Sequence, residues 1–405
     1  MTDRPNILLV MTDQQRADTL SCLGSRHGRT PHFDALAARG ILFERAFSPV
    51  PMCSPARASL WTGLQMSRHG IVTNVGPVPT VLDRLPGPTL FAALRAAGYR
   101  LGYLGKWHLG EADPGLFDHW EGYNSHAAHW VEGPSGVAYR AFLETDRAIA
   151  LLDALDGDRP FCLVVSYYPP HPPYEPPPEY TAMHVGGPLP GYFGAVRAID
   201  DCIGRLCGAL DARGRWQRTA VLFCSDHAQV LAEREGGGRK RNLFDETLRI
   251  PMILVLPGGR AAGTRAAGMV GLLDVAPTLR ALAGAAPAAE CHGAGLAPFV
   301  ARPDPPWRST LLLQNRTRPD REASGAPREE RAIRTDRAKL ILGQGRRPRL
   351  YDLERDPGEH DDLLAGPTPP VAAAASLARA LAGEAAAIGD AVGVALARSS
   401  FRAPA

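Results

Sequence analysis

Five short stretches of the chain are apolar at nearly every position, and most of them stop at a polar or charged side chain. They are NILLVMTD (6–13), RLGYLGKWH (100–108), PFCLVVSYY (160–168), TAVLFCSDH (219–227) and IPMILVLPG (250–258). A run without polar alternation predicts a strand covered on both faces, as in a parallel sheet, with its last residues at the sheet's rim. Between the runs lie segments of helical period: TPHFDALAARG (30–40), ASLWTGL (58–64), TLFAALRAAGY (89–99) and YFGAVRAIDDCIGRLCGALDARG (192–214). The first and last of these close on glycine, a helix stop. Strands alternating with helices predict an α/β domain around a mostly parallel sheet flanked by helices.

Near residues 302–330 the text becomes polar and proline-rich, in RPDPPWRS and RTRPDREASGAPREE. RAIRTDRAKLILG and PRLYDLERDP then read as strands of a smaller antiparallel unit, and the alanine-rich stretch 371–396 as one closing helix. The expected division is a catalytic α/β domain over 1–305 and a small C-terminal α+β domain over 306–405.

Length and charge narrow the function classes. The 405 residues are ample for a sizeable core. A net charge of +3, with no basic block interleaved with aromatics, argues against nucleic acid as partner. The seven cysteines, at 22, 53, 162, 202, 207, 224 and 291, show no Cys-x-x-Cys spacing. An odd, scattered set predicts buried free thiols in a reducing compartment. The apolar run near the N-terminus is too short for a signal-peptide core, and no later one reaches membrane-spanning length. These features together predict a soluble, cytoplasmic protein with no membrane partner.

Chemistry gathers at the strand ends. Asp13 and Gln14 follow the first run, Lys106 and His108 end the second, and Asp226 and His227 end the fourth. An aspartate after a strand can simply cap the next helix. Taken together, two carboxylates and an imidazole on one rim are a mixed oxygen and nitrogen set suited to Mn²⁺, Ca²⁺, Mg²⁺ or Zn²⁺. Lys106 and His108 stand two apart, which in an extended segment puts both on one face, beside an anionic substrate. His171, in YPPHPPYEPP, sits in a loop that prolines stiffen. Trp107, Trp120, Trp130, His126, His129 and Tyr174 are candidates for a pocket wall. Cys53, in SPVPMCSPARASLWTG (48–63), stands at the mouth of a helix. A disulfide, a zinc site, a thiolate nucleophile lowered by the helix N-terminus and a modified cysteine are its four readings.

Cys-Ser-Pro-Ala-Arg (53–57) matches Cys-x-Pro-x-Arg, and CSPARASLWTG extends the match. With RPNILLVMTDQQRADTLSCLG, TPHFDALAARGILFERAFS, GYRLGYLGKWHLG, SDH followed by LFDETLRIPMIL, LLDVAPTLRALAG and LYDLERDPGEHDDL in order, the chain resembles the sulfatases, which convert that cysteine to formylglycine. The resemblance implies an alkaline-phosphatase-like α/β domain and a small C-terminal domain with a four-stranded antiparallel sheet and a helix. It implies one divalent cation, Ca²⁺ or Mn²⁺, held by Asp13, Asp226, His227, residue 53 and, more weakly, Gln14. Arg57 would hold the hydrated aldehyde, Lys106 and Lys240 the sulfate oxygens, and Asn74 the sulfate. His108 would orient the hydrate or the sulfate, and His171 would protonate the leaving oxygen. The implied activity is hydrolysis of a small-molecule sulfate monoester after maturation by a formylglycine-generating enzyme. A homo-oligomer is left open.

The text departs from the common sulfatase pattern in several places. Ala228 replaces a glycine after SDH, Arg234 stands near an expected histidine, and the metal pairs are Asp-Gln and Asp-His. Choline-sulfatase-like enzymes and phosphonate monoester hydrolases resemble this arrangement, but Lys-Trp-His-Leu-Gly favours sulfate. The alternatives are a phosphonate or phosphate ester hydrolase on the same scaffold, and a non-catalytic sulfatase-like protein that binds anions.

Overall fold

The computed structural model describes residues 4–125, 127–133, 136–155, 157, 159–231, 242–317 and 325–401. The main sheet holds β1 (Asn6–Thr12), β2 (Ile41–Phe47), β3 (Arg100–Lys106) and β4 (His119–Tyr123). After the separate hairpin β5 (Trp130–Gly133) and β6 (Gly136–Tyr139) it continues with β7 (Phe161–Ser166), β8 (Thr219–Ser225), β9 (Arg249–Ile250), β10 (Met252–Val255) and β11 (Thr264–Gly271). The order across the sheet is β11-β2-β10-β8-β1-β7-β3-β4, with β9 also paired to β2. The four strands β8, β1, β7 and β3 are mutually parallel neighbours, with Thr12 opposite Ser225, and Ser166 opposite both Met11 and Gly105. The residues that follow them therefore leave one rim together. β10 runs antiparallel to both β8 and β2.

Alternate residues of these strands serve opposite faces, as the pleat requires. Ile7, Leu9, Met11, Val164 and Leu222 pack under the helices Cys53–Thr62, Leu90–Ala96 and Val275–Leu282. Leu8, Val10, Leu163, Val165 and Phe223 pack under Pro31–Ala38, Arg140–Ala154 and Pro190–Ala212. Burial on both sides explains why the sequence shows unbroken apolar runs there.

The C-terminal sheet is an antiparallel meander of β12 (Leu311–Arg316), β13 (Glu329–Arg334), β14 (Ala338–Gly343) and β15 (Arg346–Asp352). One face packs Leu313, Ala332, Ile341 and Tyr351 on Phe47, Leu243, Leu248 and Met269. The other carries two helices, Val371–Ala387 and Ala391–Ser400, where the sequence predicted one. Gly389 at φ 72° breaks the segment, and Asp390 Oδ1 accepts from Gly393 N–H (3.2 Å) to start the second helix. All seven cysteines are free; Cys53, Cys162, Cys202 and Cys224 are buried, and Cys22, Cys207 and Cys291 are half-buried. Among the described residues no helix is long and apolar enough to cross a membrane.

A buried carboxyl near the sheet gives a stability test. Glu144, on the helix Arg140–Ala154, is 6% exposed, and burial pushes it up to about 8 against the opposing Arg140, Tyr123 and Arg147. Glu121 adds to the rise. A folded pKa above the unfolded value of about 4.3 means the native state holds the extra proton. Stability is then lost as pH rises from that unfolded value towards 8. Glu144→Gln should leave Tm nearly unchanged at pH 4 and raise stability at pH 8 by up to about 4 kcal/mol. Equal offsets at both pH values, in thermal melts of the two proteins, would contradict this.

Candidate active site

Cys53 opens the helix Cys53–Thr62, all ten residues of which are buried. Its positive N-terminal end faces the rim formed by β8, β1, β7 and β3. Cys53 Sγ lies 3.6 Å from Asp13 Oδ1 and 3.1 Å from His227 Nε2. One ligand atom each from Asp13, Cys53, Asp226 and His227 falls within 4.8 Å of the others, and all four residues are buried. The next turn brings Arg57 to the same face. Its Nε donates to Asp226 Oδ2 (3.0 Å), and its Nη2 lies 3.6 Å from Asp13 Oδ2. Lys106 Nζ donates to the same oxygen of Asp13, Oδ2.

β3 delivers Lys106 through a close crossing. Gly105 has φ 96°, and a Cβ there would sit 2.2 Å from the Ser166 carbonyl oxygen, so only glycine fits. The Lys106 carbonyl accepts from Arg57 Nη1, from Ser166 Oγ (2.7 Å) and from Tyr103 Oη (2.7 Å), which fixes the strand end. The extended spacing expected for Lys106 and His108 is not what forms. The strand stops at Lys106, and His108 adopts φ 61°, held by Ser54 Oγ donating to its carbonyl (2.7 Å). The turn buries the imidazole, and burial with the charges of Lys106 and Arg57 keeps His108 neutral, far below the usual histidine range.

Electrostatics sort the remaining groups. Burial opposes ionisation of Asp13, but Lys106, His171, Arg57 and His227 hold it well below the usual carboxylate range. Burial likewise works against Lys106, and Asp13 more than offsets it. His227 is pulled down by burial and up by Asp226 and Cys53, reaching about 9. Its Nδ1 lies 2.7 Å from the Ala228 carbonyl and so donates there, which turns Nε2 to Cys53 and the carboxylates.

Polar atoms left over at this rim bear on what the site holds. Gln14, at φ 66°, keeps both Oε1 and Nε2 buried without a hydrogen-bond partner, as do Arg57 Nη2 and His108 Nδ1. Unpaired buried polar groups are costly and call for an explanation. Two carboxylates, an imidazole nitrogen and an orphaned carboxamide fit a divalent cation with oxygen and nitrogen preference.

Of the other residues read from the sequence, His171 lies beside the site, its ring stacked on Tyr168 (4.6 Å) and its Nδ1 2.6 Å from the Pro172 carbonyl. Asn74 is half-buried and uses Oδ1 to accept Ser54 N–H (3.2 Å), so it caps the Cys53 helix. Lys240, Arg234 and His126 lie outside the described residues. Trp107 and Trp120 belong to an aromatic core with Trp61, Phe91, Tyr103 and Phe117, not to a pocket wall. Tyr168 was not singled out by sequence, yet its ring lies 4.6 Å from Lys106 Nζ and against His171. Its place directly behind the 161–166 run was the available signal.

Comparison with known proteins agrees with this geometry. The Sulfatase family model matches residues 5–285, and that of the N-sulphoglucosamine sulphohydrolase C-terminal region matches 236–382. An uncharacterized sulfatase of Escherichia coli K12, YidJ, is 29% identical over 430 residues, covering 89% of this chain and 83% of its own. A solved structure described as bound to its substrate D-glucosamine-2-N,6-O-disulfate superposes with TM-score 0.83 at 22% identity, covering 96% of this chain and 99% of its own. The phosphonate monoester hydrolase of Agrobacterium radiobacter superposes with TM-score 0.81 at 24% identity, covering 95% and 96%. With its mixed, mostly parallel sheet, its rim of buried aspartate, cysteine and histidine side chains and a family match over most of its length, the chain belongs to the sulfatase family of the alkaline-phosphatase-like superfamily.

Proposed function

We propose that this protein hydrolyses a sulfate monoester to an alcohol and sulfate, with residue 53 acting as formylglycine after maturation by a formylglycine-generating enzyme. The gathering of Cys53, Asp13, Asp226 and His227 within 4.8 Å supports this most directly. Asp13, Asp226 and His227 would hold one divalent ion, Ca²⁺ or Mn²⁺, with Gln14 and residue 53 completing its shell. When bound, the ion supplies Lewis-acid polarisation of a sulfate oxygen. Hydrated formylglycine supplies a hydroxyl nucleophile and a second hydroxyl through which the aldehyde can re-form.

The chain's own charges prepare the site. Lys106 and Arg57 balance Asp13 and Asp226, so a bound divalent ion leaves a positive excess, the sign that draws in a sulfate ester. Lys106 and Lys240 would neutralise sulfate oxygens. Arg57 would orient residue 53, and neutral His108 would offer a hydrogen bond without competing charge. His171 would deliver a proton to the departing oxygen. Asn74, already bonded to Ser54 N–H, would reach the sulfate only through its remaining amide atoms. We also keep 1–305 as the catalytic unit and 306–405 as the smaller one.

A second reading, phosphonate ester hydrolysis on the same scaffold, is favoured by the Asp-Gln and Asp-His metal pairs. The segment Lys-Trp-His-Leu-Gly (106–110) favours sulfate. Two measurements decide. Peptide mass spectrometry should find residue 53 oxidised in protein from a host with the maturation enzyme, and aryl sulfate turnover should disappear on chelation and return with Mn²⁺ or Ca²⁺. An unmodified cysteine with no turnover after reconstitution sinks the enzyme reading. A large excess of rate on the paired aryl phosphonate sinks the sulfate preference.

A further inference from the structure

The metal loop that follows β1 is held from a distance. Tyr192, fully buried in the first turn of the helix Pro190–Ala212, donates through Oη to the Gln14 carbonyl (2.9 Å) and accepts from Arg16 N–H (3.0 Å). One phenol thus bridges the two peptide groups on either side of Gln15. Gln15 N–H donates to Ser225 Oγ at the end of β8 (2.9 Å). Gln14 N–H in turn donates to Asp226 Oδ1 (3.2 Å), and between that bond and the phenol Gln14 stands at φ 66°, a conformation that a residue with a Cβ seldom adopts unless its surroundings impose it. The result is a carboxamide buried beside Asp13 with neither polar atom paired.

The same tyrosine also touches the loop that carries His171. Its ring meets Tyr174 edge-on at 5.4 Å. The helix start comes so close that a Cβ on Gly191 would lie 2.2 Å from the Tyr174 carbonyl oxygen. The helix therefore cannot slide on this loop, and the height of the phenol over the metal loop is set by packing.

We infer that Tyr192 is a positioning residue: its hydroxyl holds Gln14 in the left-handed conformation that presents the carboxamide to the divalent cation, and so raises the site's affinity for that ion. This rests on the reading that Asp13, Asp226 and His227 bind a cation. Without the hydroxyl, Gln14 can relax to negative φ, which swings its side chain away from the carboxylates. Groups that orient metal ligands from behind typically change metal affinity by about 10- to 100-fold when removed.

The test is Mn²⁺ titration of the full-length, chelator-stripped protein by calorimetry. Cys53 need not be modified for it, so the outcome is independent of catalysis. Tyr192→Phe should bind Mn²⁺ at least about tenfold more weakly than wild type, with the ion-free melting temperature little changed. Gln14→Gly, which keeps the left-handed backbone without strain but removes the carboxamide, should lose affinity to a similar degree. Adding Tyr192→Phe to Gln14→Gly should change affinity by less than about twofold, because the two act through one contact. Wild-type affinity in either single variant overturns the inference, as does a full tenfold loss from Tyr192→Phe in the Gln14→Gly background. Absence of Mn²⁺ binding by the wild type would instead refute the cation reading on which the inference stands.

Discussion

Cys53→Ala protein, made in a host that carries the maturation enzyme, is expected to fold, to bind a divalent ion and to lose about 10,000-fold or more of kcat. Removal of a covalent nucleophile from a preorganised site has costs of this size. Alanine suits the first turn of the helix, so Cys53–Thr62 should form and keep Arg57 on Asp226. Asp13, Asp226 and His227 remain in place, which is why ion binding should survive while turnover does not. Wild-type chain from a host without the maturation enzyme should show the same loss, because its residue 53 is a thiol 3.1 Å from His227 Nε2 and cannot supply two hydroxyls. Steady-state rates on an aryl sulfate, with Mn²⁺ binding measured on the same samples, check both arms. A variant with kcat within tenfold of wild type would show that residue 53 is not the nucleophile.

Much of the rim was legible because of one property of parallel sheets. Strands covered on both faces must be apolar throughout, so the first polar residue marks where the chain leaves the sheet, and ligands bind there. Asp13, Asp226 and Lys106 were readable on that ground. The direction of β10 was not, since an apolar run looks the same whichever way it pairs. His108 misled for a related reason: a two-residue spacing implies a shared face only while the chain stays extended, and φ 61° ends that at once. The C-terminal helix pair was hidden by uniform alanine periodicity, although Gly389-Asp390 carried a stop and a cap in adjacent positions. Asn74 and Tyr192 show the harder limit. Asn74 caps a helix start 20 residues away, and Tyr192 meets the loop after β1 across 178 residues of chain. Such partners obey no local period, so only the folded chain reveals them.

Replacing His171 by Asn should produce a loss that depends on the leaving group. His171 Nδ1 donates to the Pro172 carbonyl at 2.6 Å, so Nε2 is the ring nitrogen that would exchange a proton with substrate. The ring is stacked on Tyr168, itself seated against Lys106, and it sits close enough to Asp13 to be among the charges that stabilise that carboxylate. It is therefore fixed next to Lys106 and Asp13 and not dispersed in solvent. General acid catalysis contributes about 100- to 10,000-fold when the departing oxygen needs its proton in the transition state. An alkyl or sugar sulfate leaves as a basic alkoxide and should show that whole loss in kcat/KM. A nitrophenyl sulfate leaves as a stabilised phenolate and should lose less than about tenfold. A plot of log kcat/KM against leaving-group pKa should then be steeper for His171→Asn than for wild type. Parallel lines would mean that His171 only shapes the pocket, and the proton would have to come from another group at the rim.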